Sequence, residues 1–130
     1  MYIVTWNREP SRKLKSVGAV DDLLDALHER FTKVGAPALV TVERGNGGDS
    51  LAIGLGRERT VLSFVRSDKD PPYFVSLGGE RDGDSLWFDF GGDWSEFPFS
   101  QTVPLTSGRK AMREFCETGR LTKDLLWEQG

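Results

Sequence analysis

A single cysteine and a single histidine are all that this chain offers to nucleophilic or metal chemistry. One thiol excludes an internal disulfide and suits a reducing compartment, so the cytoplasm is the expected location. Cys116 follows Phe115 late in an expected helix and reads as a core thiol. His28 stands mid-helix beside Leu27, a poor place from which to serve a Ser-His-Asp or Cys-His site. One His and one Cys so far apart have no metal-ligand spacing. No apolar run approaches the roughly 20 residues of a membrane span. The start, Met1 to Trp6, passes straight into polar sequence, unlike a signal peptide.

Phosphate cradles are missing too. Gly54-Leu-Gly56 lacks the third glycine and the following helix of a dinucleotide fingerprint, and Gly45 to Gly48 is not followed by Lys-Ser or Lys-Thr. Cations are absent from residues 84 to 98, where Trp87, Phe88, Phe90, Trp94 and Phe97 alternate with Asp84, Asp89, Asp93 and Glu96. Nucleic acid is bound chiefly through Lys and Arg on phosphates. A net charge of −3 with an acidic aromatic stretch therefore argues against a direct nucleic-acid binder. Residues 80 to 96 hold Glu80, Asp82, Asp84, Asp89, Asp93 and Glu96 against Arg81 alone, while Arg8, Arg12, Lys13 and Lys15 make the N-terminus basic. That polarity can steer a basic partner; a solvated acidic face is the plainer alternative.

What is present suffices for one folded domain spanning 1–130. A chain of 130 residues buries roughly two-thirds of its unfolded surface. Tyr2 to Trp6 reads as a strand and Asn7 to Gly18 as a loop. Val20 to Val34 is the clearest helix: Leu23, Leu24, Leu27, Phe31 and Val34 recur at spacings of three and four. Asp21 and Asp22 near its start, Lys33 at its end and Gly35 beyond it fit helix polarity and termination. Strands are expected at Ala38 to Glu43, Leu51 to Leu55, Thr60 to Arg66, Tyr73 to Leu77 and Leu86 to Phe90, joined by hairpin-like turns. A turn is expected over Gly78 to Gly83. Arg109 to Thr118 reads as a second helix closed by Gly119, and Leu121 to Trp127 as an amphipathic tail docking through Leu125 and Trp127. The expected fold is α+β, an antiparallel meander of about five to six strands with two helices on one face.

Three functional readings remain for the aromatic stretch. Two carboxylates among Asp89, Asp93 and Glu96 could act as acid and base on a sugar stacked against the tryptophans. They could equally be turn formers around Gly91-Gly92. Or the rings and carboxylates together form a protein-binding surface, since Trp and Phe carry energy at interfaces and acidic neighbours speed encounter. Alternation along Leu86 to Phe90 predicts Phe88 and Phe90 inward and Trp87 outward with Asp89.

Several segments, in order, resemble a known family. They are Gly48-Asp-Ser-Leu-Ala-Ile-Gly-Leu-Gly56, Thr60-Val-Leu-Ser-Phe-Val65, Asp70-Pro-Pro-Tyr-Phe-Val-Ser-Leu77 and Phe88-Asp-Phe-Gly-Gly-Asp-Trp-Ser-Glu-Phe-Pro98. Arg113-Glu-Phe115, Thr118-Gly-Arg-Leu121 and Trp127-Glu128 complete the likeness. The resemblance is to immunity protein family 1 of bacterial polymorphic toxin systems, over roughly residues 38 to 128. It implies a cytoplasmic, non-enzymatic antitoxin of α+β fold that covers the active site or substrate groove of a cognate toxin. That toxin would be basic and of the deaminase fold. No cofactor, metal, membrane or small-molecule substrate is implied. Asp84, Trp87, Asp89, Asp93, Trp94 and Glu96 are the toxin-binding candidates, with Trp94-Ser-Glu96 the segment carried over from the family.

Overall fold

The computed structural model describes residues 1–78 and 83–129. Its elements in chain order are β1 (Tyr2–Trp6), β2 (Arg12–Leu14), α1 (Val17–Val34), β3 (Ala38–Arg44), β4 (Ser50–Leu55), β5 (Arg59–Thr60) and β6 (Leu62–Val65). There follow β7 (Phe74–Leu77), β8 (Leu86–Phe90), β9 (Asp93–Phe97), a 3-10 turn (Phe99–Gln101), β10 (Val103–Pro104), α2 (Leu105–Thr118) and β11 (Leu126–Gln129). The fold is α+β, as expected, with a larger sheet than the predicted five to six strands. Among the described residues nine strands join in it, running β11-β7-β6-β4-β3-β1-β2 with the β8–β9 hairpin attached to β3.

Strand alternation divides the core. Ala38, Val40 and Val42 of β3 and Leu51, Ile53 and Leu55 of β4 face the helices, where they meet Leu24, Leu27 and Phe31 of α1 and Ala111, Met112 and Phe115 of α2. Leu39 points the other way and, with Val61 and Phe88, forms a second buried cluster flanked by Val75, Leu86 and Phe97. The helices lie on one face and the β8–β9 hairpin laps onto the other. Gly54 permits that overlap: a Cβ there would meet the Phe88 ring at 2.6 Å.

Several boundaries differ from the sequence reading. α1 starts at Val17, with Ser16 Oγ accepting the Ala19 N–H at 3.0 Å, so Asp21 and Asp22 lie past the first turn. Asp21 instead pairs with Arg109 and Arg113 of α2, and Asp25 with Arg109 at 2.6 Å, tying the helices together. α2 starts at Leu105 rather than Arg109. Gly35 and Gly119 close the helices in left-handed geometry.

The loop expected over Asn7 to Gly18 contains β2, whose Lys13 sits opposite Ile3. Its charged three-residue sequence has no apolar alternation to announce it. The single strand expected from Thr60 to Arg66 breaks at Val61: Thr60 pairs with Val103 while Leu62 to Val65 joins the main sheet. The Val61 carbonyl accepts the Gly54 N–H at 3.2 Å as the chain changes partners. The tail becomes β11, pairing with β7, and Leu125 and Trp127 dock against the main core as expected. Of the turn expected over Gly78 to Gly83, residues 79–82, with Glu80 and Asp82 of the acidic run, lie outside the described residues.

Candidate functional site

The acidic aromatic stretch folds as a two-stranded hairpin. Gly91 and Gly92 have φ of 64° and 99°, the positive values that a two-residue type I′ connection demands. They set the register Phe90↔Asp93, Asp89↔Trp94, Phe88↔Ser95, Trp87↔Glu96 and Leu86↔Phe97. Sequence reading ended the strands at Phe90; Gly91-Gly92 was the signal for one more, β9.

In a hairpin closed by a two-residue turn the flanking pair, Phe90 and Asp93, exchanges hydrogen bonds, and pairs then alternate. Asp89–Trp94 and Trp87–Glu96 are thus non-hydrogen-bonded pairs, the kind whose side chains approach most closely. Two further contacts agree with this phase. The Asp89 N–H points away from β9 and donates to the Pro37 carbonyl at 2.9 Å. The Trp87 carbonyl also points away and accepts from Arg57 Nε at 3.1 Å.

The outer face of the hairpin therefore carries two cross-strand pairs, each a tryptophan against a carboxylate. Trp87 is 44% and Trp94 58% exposed, and Glu96 is exposed with them. Asp89 is half-buried; its Oδ1 accepts the Gly92 N–H at 2.8 Å and braces the turn. Asp84 is exposed just before β8. Asp93 is exposed as well, but on the opposite face of the hairpin, paired with Phe90.

Phe88 faces inward as expected and is fully buried. Phe90 corrects the expectation. It shares the inward side but is 49% exposed, because at the tip of the hairpin it is left without the cover that Phe88 has from the sheet. Among the described residues seven large apolar side chains are exposed. Three of them, Trp87, Phe90 and Trp94, stand on this one hairpin, while Met1, Val34, Tyr73 and Leu126 are spread over four other places.

Sequence reasoning also missed two cations that lie against the hairpin. Arg57 bonds Trp87 as described, and its guanidinium carbon lies 5.7 Å from the Phe88 ring centroid. Arg8 lies against the turn, where a Cβ on Gly92 would come within 2.8 Å of its Nε. Both belong to distant segments, so no local pattern announced them.

The remaining reactive groups have structural duties. His28 Nδ1 accepts the Gly56 N–H at 2.9 Å, fastening α1 to the end of β4. Cys116 is buried, and burial pushes its thiol up to about 11. Its alkylation at pH 8 is expected to be limited by unfolding. The check is the iodoacetamide rate with and without denaturant; rapid native labelling would contradict the placement. Among the described residues no three His, Cys, Asp or Glu side chains are grouped to hold a metal ion. Asp93 and Glu96 diverge and Asp89 braces the turn, so no observation favours the acid–base reading.

The class described is a small α+β domain whose exposed rings stand on a raised hairpin rather than line a cleft. Residues 8–129 match the family model described as Immunity protein Imm1, and the chain belongs to that family. The match takes in β2 and α1, beyond the segments that carried the resemblance. No curated protein matches the chain. Family membership supports an immunity role, implies a cognate toxin as partner, and suggests binding rather than catalysis. Among the described residues no helix is long and apolar enough to cross a membrane.

Proposed function

We propose that this chain neutralises the cognate toxin of a polymorphic toxin system in the cytoplasm, and that the toxin domain is of the deaminase fold. The outer face of the β8–β9 hairpin would lie over the toxin's active site or substrate groove. A toxin that acts on nucleic acid or its bases presents cations for phosphates and an apolar slot for a base. Glu96, Asp89 and Asp84 would answer the cations, and Trp87 and Trp94 the slot. Asp93 adds to the field from the opposite face of the tip. The observation that carries this reading is the pairing of Trp87 with Glu96 and of Trp94 with Asp89 on one exposed surface.

The first test is genetic. The gene should lie directly beside that of a large secreted toxin, and expressing this chain should rescue cells that produce the toxin's C-terminal domain. Absence of rescue rejects the immunity reading for that pair. The second test concerns charge. Asp93→Lys with Glu96→Lys is expected to slow association with that toxin domain by roughly tenfold or more at low salt, and to flatten its salt dependence. Stopped-flow association at several salt concentrations measures both. An unchanged on-rate and affinity would remove the acidic face from the mechanism while leaving immunity itself standing.

A further inference from the structure

The outer edge of β9 is unoccupied by the described chain. Among the described residues β8 pairs with β3 on one side and β9 on the other, whereas β9 pairs with β8 only. The alternation that makes Asp89–Trp94 and Trp87–Glu96 non-hydrogen-bonded pairs also turns the N–H and C=O of Trp94 and Glu96 away from β8. On β8 two of the corresponding outward groups are used, the Asp89 N–H by Pro37 and the Trp87 carbonyl by Arg57. On β9 no partner among the described residues takes them up.

Other edges of the sheet are shorter. β2 has three residues, two of them cations, and β11 has four. Short, positively charged edges are among the devices by which proteins avoid pairing with strangers. β9 has five residues and neither Lys nor Pro within it; Pro98 stands just past its end. Such an edge is a template for strand addition, where backbone bonds supply affinity and alternate side chains supply choice.

We propose that β9 takes up one extended, basic segment of the partner protein as an additional strand, bonded through the N–H and C=O of Trp94 and Glu96. Charge selects the occupant. Asp93 and Glu96 are exposed on this strand, and residues 83 to 98 contain no Lys, Arg or His. A strand with Lys or Arg at alternate positions places cations beside Glu96 and its aliphatic stems along Trp94. A second copy of β9 would instead bring carboxylates of the same sign to one ladder. The inference rests on the toxin-binding reading above and adds to it the way the toxin is held.

Proline separates the backbone contribution from the side chains. At Glu96 it deletes an outward N–H without touching the β8–β9 ladder, a position where edge strands tolerate it. Glu96→Pro is expected to bind the toxin domain of the neighbouring gene at least about tenfold more weakly than Glu96→Ala, one backbone bond and its close approach being lost. Circular dichroism and unfolding curves establish that both variants are folded. Hydrogen exchange on the unmodified protein gives an independent readout: the Trp94 and Glu96 amides should exchange fast alone and slowly in the complex.

If Glu96→Pro equals Glu96→Ala, or if these amides stay fast in a complex that forms, strand addition is overturned and side-chain docking stands. Protection without toxin that rises with protein concentration would overturn it in favour of self-pairing. Loss of rescue by the unmodified protein would reject the reading beneath it instead.

Discussion

Phe88→Ala is expected to lower the free energy of unfolding by about 3–5 kcal/mol. The ring is fully buried and seats directly on Gly54, in a cluster with Leu39 and Val61. It meets Phe97 edge-on at 6.3 Å and lies beneath the Arg57 guanidinium. Truncation removes the transfer energy of the ring and opens a cavity whose floor, a glycine, has no side chain to refill it. The effect should be uneven across the molecule. β8 meets β3 at a single bridge, Ala38↔Asp89, so the second cluster is the main apolar anchor of the hairpin on the sheet. Its amides are expected to exchange well before those of β3 and β4 in the variant. Denaturant unfolding gives the first quantity and hydrogen exchange the second. A cost below about 1 kcal/mol would mean that the hairpin is anchored elsewhere.

Replacing both Trp87 and Trp94 by Ala should leave the fold nearly intact and weaken toxin binding by about 100-fold or more. Both rings are half-exposed, and what they contribute to the isolated domain is cross-strand contact with Glu96 and Asp89, worth about 0.2–1 kcal/mol per pair. At an interface the same rings become fully desolvated, and large aromatic side chains at the centre of a contact commonly contribute about 2 kcal/mol or more each. Leu126→Ala is the matching control: this side chain is 68% exposed but sits on β11, an edge strand that does not pair with the hairpin. It should change affinity little. Calorimetric titration of the three proteins with the toxin domain decides the matter. A double variant that binds normally would take the hairpin face out of the interface.

Residue order alone determined a good deal about this protein. The three-and-four spacing of Leu24, Leu27 and Phe31, and strand alternation with Gly-rich turns, made the α+β class legible. The ordered segments from Gly48 to Trp127 made the family legible. The clustering of rings and carboxylates between Asp84 and Pro98 was legible as well. These are local or linear properties: periodicity selects helix or strand, and glycine permits turns that other residues resist.

Only the tertiary structure decided which side chains reach solvent and what the hairpin leans on. Alternation put Phe88 and Phe90 on one side, but the sheet covers Phe88 and leaves Phe90 exposed, a difference no period can encode. The same holds for Asp93, placed opposite Glu96 and the tryptophans by the register of a turn. Arg8, Arg57, Pro37 and Gly54 come to β8–β9 from positions far away in the chain. That β9 pairs with β8 alone among the described residues is likewise a matter of long-range arrangement. Exposure and pairing depend on long-range packing, where the energy of each contact is set by neighbours that only the folded chain assembles.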